Sequence, residues 1–173
     1  MRQDAEQRYV ASLLSQRSFV MLQETHSTPG VMRTWRARPS SRMFTSHGTA
    51  SVGGVAIEVS HDFLDKFDPI PEDSSLTSDH WEEVEKGRTA ILHLRSLEGA
   101  LDLVVCYWHT GTSRHPRDSS HASLACALAP ADKVLTVLAG DFNYVSDIQD
   151  RIGSSSASWT GGGDTSEERV FAM

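Results

Sequence analysis

The chain has 173 residues, enough for one domain with a sizeable core and too few to argue for two. Hydrophobic residues make up 39% and charged residues 23%, which excludes an intrinsically disordered chain. A net charge of −7 argues against broad electrostatic attraction to nucleic acid, though not against a nuclease whose centre is built of carboxylates and works through cations.

The chain opens MRQDAEQR, without the apolar core of a signal peptide, and no apolar run approaches the ~18 residues that would span a bilayer, so nothing points to secretion or a membrane. Residues 3–16 place Ala5, Tyr9 and Leu13 on one helical face with Val10 and Leu14 beside them, the pattern of an amphipathic helix. Ser18 to Leu22 is a short apolar run, expected to be a buried strand, with Gln23, Glu24, Thr25 and His26 emerging at its end and Thr28-Pro29-Gly30 turning the chain. Arg33, Arg36, Arg38 and Arg42 surround Trp35; this stretch either tracks a phosphate backbone with the indole as stacking platform or is a solvated basic loop.

Ser51–Val59 reads as a strand whose pair, Gly53-Gly54, implies a bulge or close backbone approach. The acidic, proline-bearing residues 61–75 read as a loop. Asp79 followed by Glu82 has capping-box spacing, which predicts a helical turn at HWEEVEKG closed by Gly87, with Thr77–His80 as its cap. Thr89–Leu94 and Leu101–Trp108, joined by SLEG, predict an antiparallel hairpin. A helix is expected around SHASLACALA and a last buried strand at Lys133–Ala139, ending on Gly140-Asp141-Phe142-Asn143. Beyond Gly153 the composition shifts to Ser and Gly, predicting a domain over 1–152 and a flexible tail over 153–173. Cys106 and Cys126 are both expected to be buried thiols, outside any disulfide framework. The alternation of strands and helices implies an α/β layered domain, with polar residues at the C-terminal ends of two buried strands, where open α/β sheets commonly place ligands.

Three places carry residues fit for chemistry. Glu24 is either a ligand for a hard divalent cation or a solvent-exposed loop acid. Asp141 and Asn143, two apart at a strand end and expected to point the same way, suit a carboxylate that takes a proton from water beside an amide that orients substrate; a generic turn also favours both residues. Gly140 leaves room for a substrate to approach the backbone. In Tyr107-Trp108-His109-Thr110, alternation puts Tyr107 and His109 on one face, and either side chain can meet a phosphate oxygen, or serve simply as a strand-end aromatic.

FVMLQETH, GGVAI, GR followed by two strands, and LAGDFN stand in the order found in the endonuclease/exonuclease/phosphatase superfamily. The chain most resembles the AP-endonuclease-like domains of LINE-type retrotransposons, which GDFNYVSDIQDR with Asp150-Arg151 also resembles. The likeness runs from about residue 3 to 152. It implies a layered α/β sandwich of two facing mixed sheets flanked by helices. It also implies magnesium (or manganese) as cofactor, DNA as substrate, and an intracellular setting, nuclear for a retroelement product. Glu24 matches the family's magnesium-binding glutamate, Asp141 the aspartate that positions or deprotonates the attacking water, and Asn143 the substrate-orienting asparagine. Tyr107 matches the tyrosine of the AP-endonuclease branch, with Thr110 where that branch has asparagine, while His109 is the candidate by comparison with the DNase-like branch. Arg33, Trp35 and Arg36 are the candidate substrate contacts. The family's first strand, with its asparagine, and its closing Ser-Asp-His motif are not matched, so the domain is expected to be incomplete at both ends and weakly active or inactive by itself; one lost transition-state donor costs ~2.7–4 kcal/mol in other enzymes. The alternatives are a non-catalytic remnant or binding module, and a phosphatase of inositol phosphates or phospholipids in the same superfamily.

Overall fold

The computed structural model describes residues 2–32, 38–49, 52–72, 75–109 and 114–143. Among these residues eleven elements follow one another: α1 (Arg2–Leu14), β1 (Phe19–Leu22), α2 (Pro29–Met32), β2 (Ser41–Ser46), β3 (Val55–Ser60), α3 (His61–Leu64), β4 (Trp81–Glu85), β5 (Thr89–Ser96), β6 (Gly99–Tyr107), α4 (Arg114–Ala127) and β7 (Leu135–Asp141). The strands make two sheets, β1-β3-β2 and β4-β5-β6-β7. The first is antiparallel throughout; the second is mixed, because β7 joins β6 in parallel. That parallel pairing follows from the crossover through α4, since two parallel strands need a long connection.

Alternation along the strands builds the core. Phe44, Val55, Ile57 and Val59 from one sheet meet Ala90, Leu92, Leu94, Leu103, Val105 and Tyr107 from the other, and all are buried. Ile57, Leu92 and Leu103 have no exposed surface, which is worth about 1.5–3 kcal/mol apiece relative to water. The other face of β5 and β6 is also buried, at Ile91, Val104 and Cys106, while α4, with its own buried Ser120 and Leu124, meets β4. Buried on both faces, these strands read as near-continuous apolar runs rather than as a strict alternation.

Two expectations are corrected. HWEEVEKG forms no helical turn. Trp81–Glu85 is strand β4, paired with Thr89–Leu92 and irregular between Glu83 and Glu85. The capping-box spacing loses to cross-strand pairing: Trp81 packs onto the core, ring to ring with Phe44 at 5.9 Å, and Gly87 (φ 69°) serves the β4–β5 turn instead of a helix end. Thr77–His80 is the turn that enters this strand, His80 N–H donating to the Thr77 carbonyl at 3.0 Å. Cys126 is exposed, because it lies on the outward side of α4; Cys106 is buried, and both are free thiols. β2 and the one-turn α3 have no counterpart in the sequence-based expectations.

The chain divides into a compact unit, Met1–Asp141, and a second, Phe142–Met173. The Ser/Gly-rich tail expected from residue 153 lies outside the described residues. No helix among the described residues is long and apolar enough to cross a membrane.

Candidate active site

Glu24 stands where β1 ends, in a loop whose backbone is tightly held. Thr25 N–H donates to the Gly54 carbonyl and His26 N–H to that of Gly53, both at 3.0 Å, while Gly54 N–H donates to the Gly87 carbonyl at 2.8 Å. Gly54 has φ 91°, and a Cβ there would sit 2.4 Å from the Thr25 hydroxyl oxygen. The glycine pair therefore answers to close backbone approach. Glu24 and His26 themselves take φ of 48° and 47°, a region costing of order 1–3 kcal/mol for a residue with a side chain. Below them, Thr25 donates to the buried Ser27 hydroxyl at 2.9 Å, and the His47 ring lies 3.3 Å from the same oxygen. This scaffolding leaves the Glu24 side chain exposed but its backbone fixed.

Tyr107 closes β6. It is 7% exposed, and its phenol donates a hydrogen bond to Glu24 Oε1, joining the two sheets at this end of the sandwich. Arg88 lies over the ring at 5.3 Å and donates to the Tyr107 carbonyl at 3.3 Å, while Tyr107 N–H donates to the Arg88 carbonyl at 2.7 Å. Asp141 is the register partner of Tyr107 on the neighbouring strand, so parallel pairing puts both side chains on one face. The phenol is held above its ordinary value: the hydrogen bond to Glu24 contributes most, then burial and the Glu24 charge. Arg88 opposes, and the Asp141 charge adds to the rise. Glu24 and Asp141 thus bear on the same hydroxyl despite lying far apart in sequence.

His109 goes elsewhere. The strand ends at Tyr107, Trp108 turns its ring onto His121 of α4 at 4.0 Å, and His109 Nε2 lies 2.8 Å from Glu85 Oε1. Glu85 also accepts from Ser120 of α4 at 2.5 Å. The expected common face for Tyr107 and His109 fails because alternation stops where the strand does. β7 ends at Asp141, and Asn143, with φ 52°, belongs to the second unit. Gly140 also differs from expectation. A Cβ there would meet the Cys106 carbonyl oxygen at 2.0 Å, so the neighbouring strand takes the space that a substrate was expected to use. Arg33, Trp35, Arg36, Thr110, Asp150 and Arg151 lie outside the described residues. Arg88 and Glu85 were not singled out in sequence; the Gly87-Arg88 pair was visible, but nothing local says that its arginine covers Tyr107.

Among the described residues no three His, Cys, Asp or Glu side chains cluster as a ready-made metal cage. A magnesium-type cation does not need one: it takes one or two carboxylates and completes its octahedron with water and phosphate oxygens. Glu24, fixed by Tyr107 and facing the same phenol as Asp141, offers the hard oxygen donors that such an ion prefers.

A model of the Endonuclease/Exonuclease/phosphatase family matches residues 2–166. The "Transposon TX1 uncharacterized 149 kDa protein" of Xenopus laevis is 31% identical over 134 residues, covering 78% of this chain and 9% of that protein. Among solved structures, the AP endonuclease LMAP from Leishmania major is similar with a TM-score of 0.67 at 15% identity, over 99% of this chain and 60% of that one. A D. rerio TDP2 complexed with single-strand DNA product is similar with a TM-score of 0.51 at 16% identity, over 84% and 56%. The chain thus spans about three-fifths or less of the length of each, and at these identities the solved structures speak for the fold alone.

Proposed function

Because the chain belongs to the endonuclease/exonuclease/phosphatase family, we propose that its site serves metal-dependent cleavage of a phosphodiester in DNA. The observation that carries this is the Tyr107 phenol, bonded to Glu24 and paired in register with Asp141, which brings both carboxylates to one place. The AP endonuclease likeness, the TDP2 structure with its single-strand DNA product and the transposon relative all favour DNA as the substrate class.

Glu24 would hold a magnesium ion, with manganese as substitute, which would supply neutralisation of phosphate charge. Tyr107 keeps the Glu24 carboxylate in place, its one hydroxyl hydrogen committed there. Asp141 accepts a proton from the attacking water, whose oxygen bonds to phosphorus as the bond to the leaving sugar oxygen breaks and that oxygen takes up a proton. Asn143 is the candidate for orienting the substrate, and Arg33, Trp35 and Arg36 are the candidates for phosphate contacts and a stacking surface, while His109 is engaged by Glu85 instead.

The test is nicking of supercoiled plasmid in magnesium, with Asp141→Ala compared against the unchanged chain. The variant is expected to lose roughly 100-fold or more, the scale of general-base catalysis. Nicking that is present and equal in the two proteins, or that persists in chelator, contradicts the assignment.

A further inference from the structure

A second concavity lies away from Glu24, Tyr107 and Asp141: a cavity of about 910 Å³ between β2 and the loop that follows α3. Its wall includes every residue from Ser41 to Thr45 in turn. Side chains of a strand alternate between faces, so consecutive residues share a wall only where it follows the strand's edge. β2 is such an edge, hydrogen-bonded to β3 and to no other described strand. Alternate main-chain N–H and C=O groups of an edge strand point away from its partner and can template another extended chain.

The lining states what kind of chain. One wall is apolar, formed by Phe44 and Trp81 with Leu64 and Phe67. The exposed rim is acidic, at Asp65, Asp68 and Glu72. The two arginines that line the cavity already have partners: Arg42 donates to the carbonyls of Ile70 and Pro71 at 3.0 and 2.5 Å, and Arg38 to Glu58 Oε1 at 2.8 Å. Glu58 lines the same cavity at 2% exposure. Its Oε1 also accepts from Ser41 at 2.7 Å, and its Oε2 has no hydrogen-bond partner among the described residues. A buried carboxylate oxygen without a donor is costly, and an entering cation or N–H group would relieve it.

We propose that this groove binds an extended lysine- or arginine-bearing peptide as an added strand on β2, its apolar side chains against the partly buried Trp81, Leu64 and Phe67 and its cations on the acidic rim. A polyanionic strand is disfavoured by the same rim. The groove is independent of the phosphodiester site, so failure of either leaves the other standing.

Fluorescence anisotropy tests it with four labelled probes: a short peptide alternating lysine and valine, its glutamate-valine counterpart, a version with proline replacing the valines, and a single-stranded oligonucleotide. The lysine-valine peptide is expected to bind. Its affinity should fall roughly tenfold in an Asp68→Lys, Glu72→Lys double variant, a change of about 1.4 kcal/mol from two exposed sites, while the thermal melt stays put. The glutamate and proline peptides should fail, the first for charge and the second for want of N–H donors. Equal binding to the double variant, a proline peptide that binds as well, competition by the oligonucleotide, or no peptide binding at millimolar concentration overturns the proposal.

Discussion

The Tyr107 phenol has one hydrogen, and the fold commits it to Glu24. Hydrogen bonds to charged groups contribute about 1.5–3 kcal/mol, and partners of metal ligands typically govern affinity by about 10–100-fold. Tyr107→Phe should therefore weaken magnesium binding by roughly tenfold in isothermal titration, with little loss of thermal stability since the ring stays buried. Unchanged affinity would mean that Glu24 is held some other way. Cys106 gives a second check on single side chains. Burial pushes its thiol from 9.0 up to about 12, the Thr89 hydroxyl pulling the other way and the Glu85 charge adding to the rise. At pH 8 a thiol reagent should modify exposed Cys126 and leave Cys106 untouched until the chain unfolds. Because the folded value lies above the unfolded one, this stabilisation is complete below pH 9 and lost as pH climbs towards about 12. Urea midpoints should fall over that window, less steeply in Cys106→Ala, and equal labelling of both thiols would contradict the burial. Of these residues, Glu24, Tyr107 and Asp141 were legible as ends of apolar runs. Arg88 and Glu85 were not, because their roles exist only through contacts with Tyr107, His109 and Ser120, from elements distant in sequence.

Elements divide along a similar line. β1, β3, β5, β6, β7 and both long helices announce themselves by period and apolar content. β4 does not: Trp81-Glu82-Glu83-Val84-Glu85 carries helix-favouring glutamates behind a capping-type residue, and only pairing with β5 makes it a strand. β2 is hidden for a related reason. Ser41–Ser46 has little apolar pattern of its own and exists because β3 accepts it as an edge. The loop after β1 shows how one element fixes another: Gly53 and Gly54, ahead of β3, take the hydrogen bonds that hold Thr25 and His26. Gly54→Ala forces a side chain onto φ 91° and into the Thr25 hydroxyl. It should cost about 1–3 kcal/mol in chemical denaturation and lower magnesium affinity together. Stability and affinity both left unaltered would show that the loop tolerates another path.

For the whole molecule, two sheets pressed face to face bring the end of β1 beside the ends of β6 and β7, and the candidate site is the product of that pairing. The sequence showed which strand ends carried carboxylates; their convergence depends on sheet order and on the facing of two layers, which no local pattern encodes. The apolar core, shared by Ile57 and Leu92 from opposite sheets, holds the two layers together and with them the proposed metal site. Manganese, a paramagnetic stand-in for magnesium, reads that convergence directly through amide line broadening in the folded chain. The amides of Glu24 and Thr25, of Tyr107 and Trp108, and of Asp141 should broaden together at the lowest manganese ratios, and Glu24→Gln should abolish the effect at all three places. Broadening confined to one of them, or centred on the acidic rim at Asp65 and Asp68, would contradict a shared metal site.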